Sequence, residues 1–221
     1  SLLKYYQNNL RITIHCIIEF ADNLFPHWPP ASPQECQLKL FLFEQKHPDI
    51  VSFSNVFMRR FSPSSFDDRH VPQSILIEAL EAARRSPSAG NLQAYSILLV
   101  KNREVLEQIA QAALGQGIIT DGDGAFVFII ERENSAQKYR SRGRNLYSLQ
   151  DATIACSHLQ LALESFGVQS RWIGAFHDDE LKNVLDTNGK DIAGILVFGY
   201  GKKKKHLSQR RDLNSYLTVI E

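Results

Sequence analysis

Residues 86–93, Ser-Pro-Ser-Ala-Gly-Asn-Leu-Gln, gather short hydroxyls, two amides and a glycine into one turn. Such a turn can present backbone N–H groups and short polar side chains to a ligand, and Gly90 permits a backbone angle that other residues resist. Pro87, Ser88, Ala89, Asn91 and Gln93 are its candidate contacts. Arg59 and Arg60, followed by Ser62, and far along the chain Arg210 and Arg211 offer planar guanidinium forks to an oxyanion, or are plain surface charge. Gln116 adds an amide that donates and accepts at once. At Lys138-Tyr139-Arg140-Ser141-Arg142, a lysine could act as a base if burial or the neighbouring cations lowered its pKa. A solvated, charged loop is the plainer reading of the same residues.

The elements that must position these groups follow from hydrophobic spacing. Ile75, Leu76, Ala79, Leu80 and Ala83 repeat as a helix does, and Pro87 is expected to end it, because the residue before a proline is pushed out of helical geometry. Ser96 to Val100 is short, aliphatic and strand-like, which places the 86–93 turn at a helix-to-strand junction. A helix over 104–114, a central strand over 125–131, a long helix over 147–166 with Gly167 as its stop, strands at 169–173 and 192–198, and a short helix at 178–185 complete the pattern. This alternation predicts an α+β layer architecture. On the long helix Leu149, Ala152, Ala155, Cys156, Leu159, Ala162 and Phe166 share a small-sided face, which is expected to pack at a dimer interface.

Composition narrows the function further. In 221 residues, 25 lysines and arginines stand against 24 aspartates and glutamates, so no long-range field favours nucleic acid or an anionic membrane. The three cysteines, Cys16, Cys36 and Cys156, are far apart and form no Cys-x-x-Cys pair, which argues against a disulfide framework and a zinc site, fits a reducing cytoplasm, and leaves no metal expected. No apolar stretch approaches the roughly 20 residues that span a bilayer. Residues 1–54, with the break Pro26-His27-Trp28-Pro29-Pro30, read as a helical and Pro-rich extension before a domain at 55–221.

The turn, with Arg60-Phe61-Ser62 before it and Trp172-Ile173-Gly174-Ala175-Phe176 and Gly199-Tyr200-Gly201 after it, resembles the signature of the FMN-dependent nitroreductase superfamily. That resemblance implies a three-layer α+β fold, with a central mixed, largely antiparallel sheet flanked by helices, in an intertwined homodimer. It implies FMN as cofactor, NADH or NADPH as donor, and ping-pong hydride transfer to a small electron-poor acceptor such as a nitroaromatic or quinone. Arg60, Ser62, Arg210 and Arg211 would then hold the phosphate, with Arg59 nearby. Asn91 and Gln116 would meet the pyrimidine edge. Backbone from Trp172, Ile173, Gly174 and Ala175 would line N5, and Pro87, Ser88, Ala89, Asn91 and Gln93 would come from the opposite subunit. Two positions depart from the pattern: Ser64 and Ile119 stand where members place cations near the N1 and C2 carbonyl region, unless Arg59, Arg69 or a partner residue supplies the charge. Lys138-Tyr139 is similar to the Lys-Tyr of the azoline-oxidase branch, which keeps open an FMN-linked dehydrogenase of a peptide or tailored metabolite. A flavin-binding protein without turnover is the third alternative.

Overall fold

A computed structural model describes residues 55–202 and 209–220. The extension assigned to residues 1–54 and the lysines at 203–205 lie outside them. In chain order the elements are helix α1 (Gln73–Ala83), a 3-10 turn (Ala89–Asn91), strand β1 (Tyr95–Val100), helices α2 (Arg103–Ala112) and α3 (Ile118–Asp121), and strand β2 (Gly124–Ile130). Helix α4 (Arg132–Arg142), a π-helical turn (Gly143–Tyr147), helix α5 (Ser148–Ser165), strand β3 (Gln169–Ile173), helix α6 (Asp178–Leu185) and strand β4 (Ile192–Gly199) follow, with a last 3-10 turn at Leu213–Ser215.

The strands form one four-stranded sheet in the order β1-β2-β4-β3. All three pairings are antiparallel, so among the described residues the sheet has no parallel member, where a mixed sheet was expected. Side-chain alternation divides the core in two. Ala125, Val127, Ile173, Ile195 and Val197 face α2, α3 and α6, while Phe126, Phe128, Leu196 and Phe198 face α1 and α5. Both central strands are covered on each face, and every residue of β2 is buried.

Three local expectations need correction. Helix α1 stops at Ala83, before Pro87; Arg84, Arg85 and Ser86 continue as turns whose N–H groups bond Leu80, Ala82 and Ala83 carbonyls. Lys138 and Tyr139 lie in helix α4, not in a loop. The small-sided face of α5 points inward: Ala155, Cys156 and Leu159 pack in the core with α1 and the sheet, leaving Leu149 and Phe166 partly exposed. Small residues there serve close helix-to-sheet approach within the chain, and burial pushes the Cys156 thiol pKa up, as for a packing residue.

Candidate functional site

The strand directions fix where each motif goes. Tyr95, Ile130, Ile173 and Ile192 share one end of the sheet, and Val100, Gly124, Gln169 and Gly199 the other. The 86–93 turn precedes β1, at one edge, on the first end. Gly174 and Ala175 leave β3, the opposite edge, at that same end. The Arg60–Ser65 segment and the Gly199–Gly201 turn meet at the far end of β3.

At this far corner Phe66 bridges Gly201 as an isolated β pair, and the Lys202 N–H donates to the Ser65 carbonyl at 3.0 Å. Gln169 accepts the Gly201 N–H at 2.9 Å, and Arg171 Nη1 donates to the Pro63 carbonyl at 3.2 Å. Arg59, Ser62 and Ser64 are exposed here and Arg60 half-buried. Arg69 is already engaged at this corner, paired with Asp67 at 2.7 Å and lying 4.2 Å over the Tyr200 ring. Arg210 and Arg211 are exposed on the last segment, where Arg211 bonds Ser215 and lies over Tyr216.

At the near end of β3, the Gln116 amide joins two segments 59 residues apart: Nε2 donates to Ala175 O at 3.1 Å and to Ala113 O at 3.0 Å. Both N–H donors are thereby spent on carbonyls, and Oε1 is left to accept. His177 N–H bonds the Ala112 carbonyl at 2.8 Å, so the end of α2 holds the whole 174–177 loop. Gly174 and Ala175 are exposed, whereas Ile173 is buried in the core and can offer only backbone. Trp172 registers with Leu196 and its ring lies over Gly194, on the α5 face and away from Gln116. Ile119 is fully buried in the core, so a side chain at this position meets apolar neighbours.

The 86–93 turn is rigid by its own bonds. Ser88 Oγ accepts the Gln93 N–H at 3.0 Å, Asn91 Oδ1 accepts from Gln93 Nε2 at 3.2 Å, and φ is positive at Gly90 (57°), Asn91 (59°) and Gln93 (47°). Asn91 and Gln93, two non-glycine residues at positive φ within three, form a strained loop of the kind found at ligand sites. Asp151 of α5 clamps it: the carboxylate, 2 % exposed, accepts the Ala89 N–H at 2.9 Å and the Ala94 N–H at 3.4 Å. The sequence marks Asp151 as an acid at i with Ala155, Leu159 and Leu163 at i+4, i+8 and i+12 on one buried stripe.

Lys138 and Tyr139 reach this turn. A Cβ at Gly90 would stand 2.5 Å from Tyr139 Oη and 2.8 Å from Lys138 Nζ. Tyr139 packs edge-on to Tyr147 at 5.1 Å, and α4 is kinked directly after it at Arg140 (φ 51°, ψ −132°). Arg142 turns toward Tyr147, whose hydroxyl accepts from Nε at 2.8 Å. The structure therefore unites Lys138, Tyr139 and the turn at one corner, Gln116 and Ala175 at a second, and the Ser62 segment with Gly201 at a third. No described contact joins Arg210 or Arg211 to Arg60 or Ser62.

Among the described residues there is no cluster of side chains able to hold a metal ion, and no helix is long and apolar enough to cross a membrane. The fold is that of several solved structures: an NADPH:FMN oxidoreductase of Vibrio harveyi complexed with NAD+ (TM-score 0.70, 18% identity, 77% of each chain) and an FMN-dependent nitroreductase of Clostridium difficile (TM-score 0.64, 22% identity, 75% of this chain and 98% of that one). A protein of Archaeoglobus fulgidus named as a candidate NADH dehydrogenase/NAD(P)H nitroreductase is 26% identical over 166 residues, 71% of this chain and 89% of its own. Residues 57–136 and 119–200 match the model of the Nitroreductase family. The chain belongs to the nitroreductase family.

Proposed function

We propose that the protein is an FMN-dependent oxidoreductase of the cytoplasm, oxidising NADH or NADPH and reducing a small electron-poor acceptor such as a nitroaromatic or quinone. The observation that carries this is the Gln116–Ala175 hydrogen bond, which sets an amide with an unspent acceptor beside an exposed backbone of glycine and alanine. Strand β3 lies between this corner and the Ser62 corner, and its four residue intervals span about 14 Å at ~3.4 Å per residue, on the scale of an extended mononucleotide. Arg60 and Ser62 would hold the phosphate at one end, with Arg210 and Arg211 as further cations from the tail. At the other end Gln116 Oε1 would accept the pyrimidine N–H, and the small residues Gly174 and Ala175 would let backbone lie against the ring. Bound flavin would supply the hydride chemistry; the chain supplies position and charge.

The 86–93 turn stands at the opposite edge of the sheet and the opposite end from Ser62. Three interstrand gaps of ~4.8 Å and a strand length of about 14 Å put the two corners roughly 20 Å apart. That separation supports a homodimer in which Pro87, Ser88, Asn91 and Gln93 serve the site of the partner. Met58, Tyr216 and Val219 are exposed apolar side chains that such a homodimer would be able to cover.

A second reading is favoured by one observation, the packing of Lys138 and Tyr139 on Gly90. It makes the protein an FMN-linked dehydrogenase of a peptide or tailored metabolite, with these two side chains removing a proton. Anaerobic titration separates the two. Purified protein should bind FMN and be bleached by NADH or NADPH without further substrate. Flavin that binds but resists both nicotinamides would refute the first reading and leave the second or a flavin-binding protein without turnover, and no heat on FMN titration would refute all three.

A further inference from the structure

Ser64 and the buried Ile119 leave the pyrimidine edge of the proposed flavin site without the cations that would balance charge collecting there on reduction. We propose that Arg171, set midway along β3 between the two corners, supplies that charge through the guanidinium donors its Pro63 bond leaves unspent and is a cofactor-binding residue of this chain, an inference that rests on the flavin reading above. Arg171 is the middle residue of β3, two positions from Gln169 at the Gly201 corner and four from Ala175 at the Gln116 corner. Its register opposite Val197 puts its side chain on the same face of the sheet as α2 and α3, hence on the side of Gln116. Nη1 is tied to the carbonyl of Pro63, the residue between Ser62 and Ser64.

That bond spends one of five guanidinium N–H donors. No carboxylate among the described residues pairs with Arg171, although it is half-buried. A partly desolvated cation without a counter-ion is costly in the free protein, and the cost is relieved by an anionic partner placed beside it. Of the cations near the Ser62 corner, Arg69 is already paired with Asp67, whereas Arg171 combines an anchored position with unspent donors.

The test compares oxidised and reduced FMN binding, which together give the midpoint potential. In Arg171→Gln the preference for reduced over oxidised flavin should fall about tenfold, which is ~30 mV for a two-electron couple. Arg171→Lys, which keeps the charge without the planar fork, should stay within about twofold. Ser64→Lys should change little in the native background and should restore the potential in Arg171→Gln. If Arg171 only ties down the 61–65 segment, both redox forms weaken equally, the potential does not move and Ser64→Lys rescues nothing; this result overturns the assignment. A shifted potential in the lysine variant overturns it as well, and gives the answer should the glutamine variant fail to fold. Native protein that binds no flavin would instead remove the underlying functional reading.

Discussion

Removing the Asp151 carboxylate should release the 86–93 turn while leaving the sheet intact. Asp151 accepts from Ala89 at 2.9 Å and Ala94 at 3.4 Å, so the first bond is short and the second is at the limit of a useful distance. A hydrogen bond to a charged group is worth about 1.5–3 kcal/mol, and a donor left buried and unpaired costs about 1–3 kcal/mol. Asp151→Ala should therefore cost about 3 kcal/mol, nearly all of it at Ala89. At 2–4 °C per kcal/mol for a chain of this size, Tm falls by about 6–12 °C. The decisive assay is local. Hydrogen exchange at residues 88–94 should speed up by about two decades, because exchange through local opening follows the local free energy, while β2 and β4 amides keep the rank of the slowest. Asp151→Asn can keep one oxygen on Ala89 and should lose less than half as much. Unaltered exchange at 88–94 in Asp151→Ala would refute the clamp, even if global stability fell.

Gly90→Ala should cost about 1–2 kcal/mol, from the positive φ and from displacing Tyr139 Oη and Lys138 Nζ, and should raise amine labelling of Lys138; unchanged Tm and labelling would disprove that packing. Mixing Arg60→Ala chains with Asn91→Ala chains should give heterodimers with one intact and one doubly damaged site, hence half the FMN stoichiometry; no binding at all would mean that both motifs serve from a single chain. Burial alone would raise the Asp123 carboxyl pKa, but bonds from His70, the Val71 N–H and Lys101 outweigh it and hold it below its ordinary value of 3.8. A depressed carboxyl stabilises the fold above that ordinary value and stops doing so as pH falls through the lower folded one. Native protein should accordingly lose more Tm than Asp123→Asn between about pH 6 and roughly pH 3, and equal losses would show that the His70–Asp123–Lys101 cluster contributes nothing.

Much of the layer structure was legible because the core obeys simple periods. The expected strand at 169–173 and helix at 178–185 coincide with β3 and α6, and the central run at 125–131 is β2 within a residue at either end. Short, β-branched continuous apolar runs fit strands buried on both faces, and Gly167, at φ 75°, stops α5 as its position implied. What spacing could not give was the target of an inward face. The small residues of α5 are equally good against a partner helix or against a sheet, and only the contacts with α1, Phe126 and Leu196 decide for the latter. Lys138 and Tyr139 sit in a segment so polar that it carries no helical signature, and α4 is helical all the same until its kink at Arg140.

The candidate site was legible as motifs and illegible as distances. Ser62, Gln116, Ala175 and Asn91 are separated along the chain by loops whose lengths say little about where their ends meet. Antiparallel order β1-β2-β4-β3 turns that list into corners: β3 brings two of them to its opposite ends, and the edge position of β1 sends the third across the sheet. The residues that hold the corners, Asp151 on the turn and Arg171 on Pro63, belong to no motif, since each acts on backbone far away in sequence. The same geometry explains why a missing lysine need not mean a missing charge. A substitution at Ser64 is read in sequence as a loss at one position, whereas the proposed flavin site would require only a cation in one region of space, and Arg171, 107 residues further on and tethered to the Pro63 carbonyl, would supply it from a different strand.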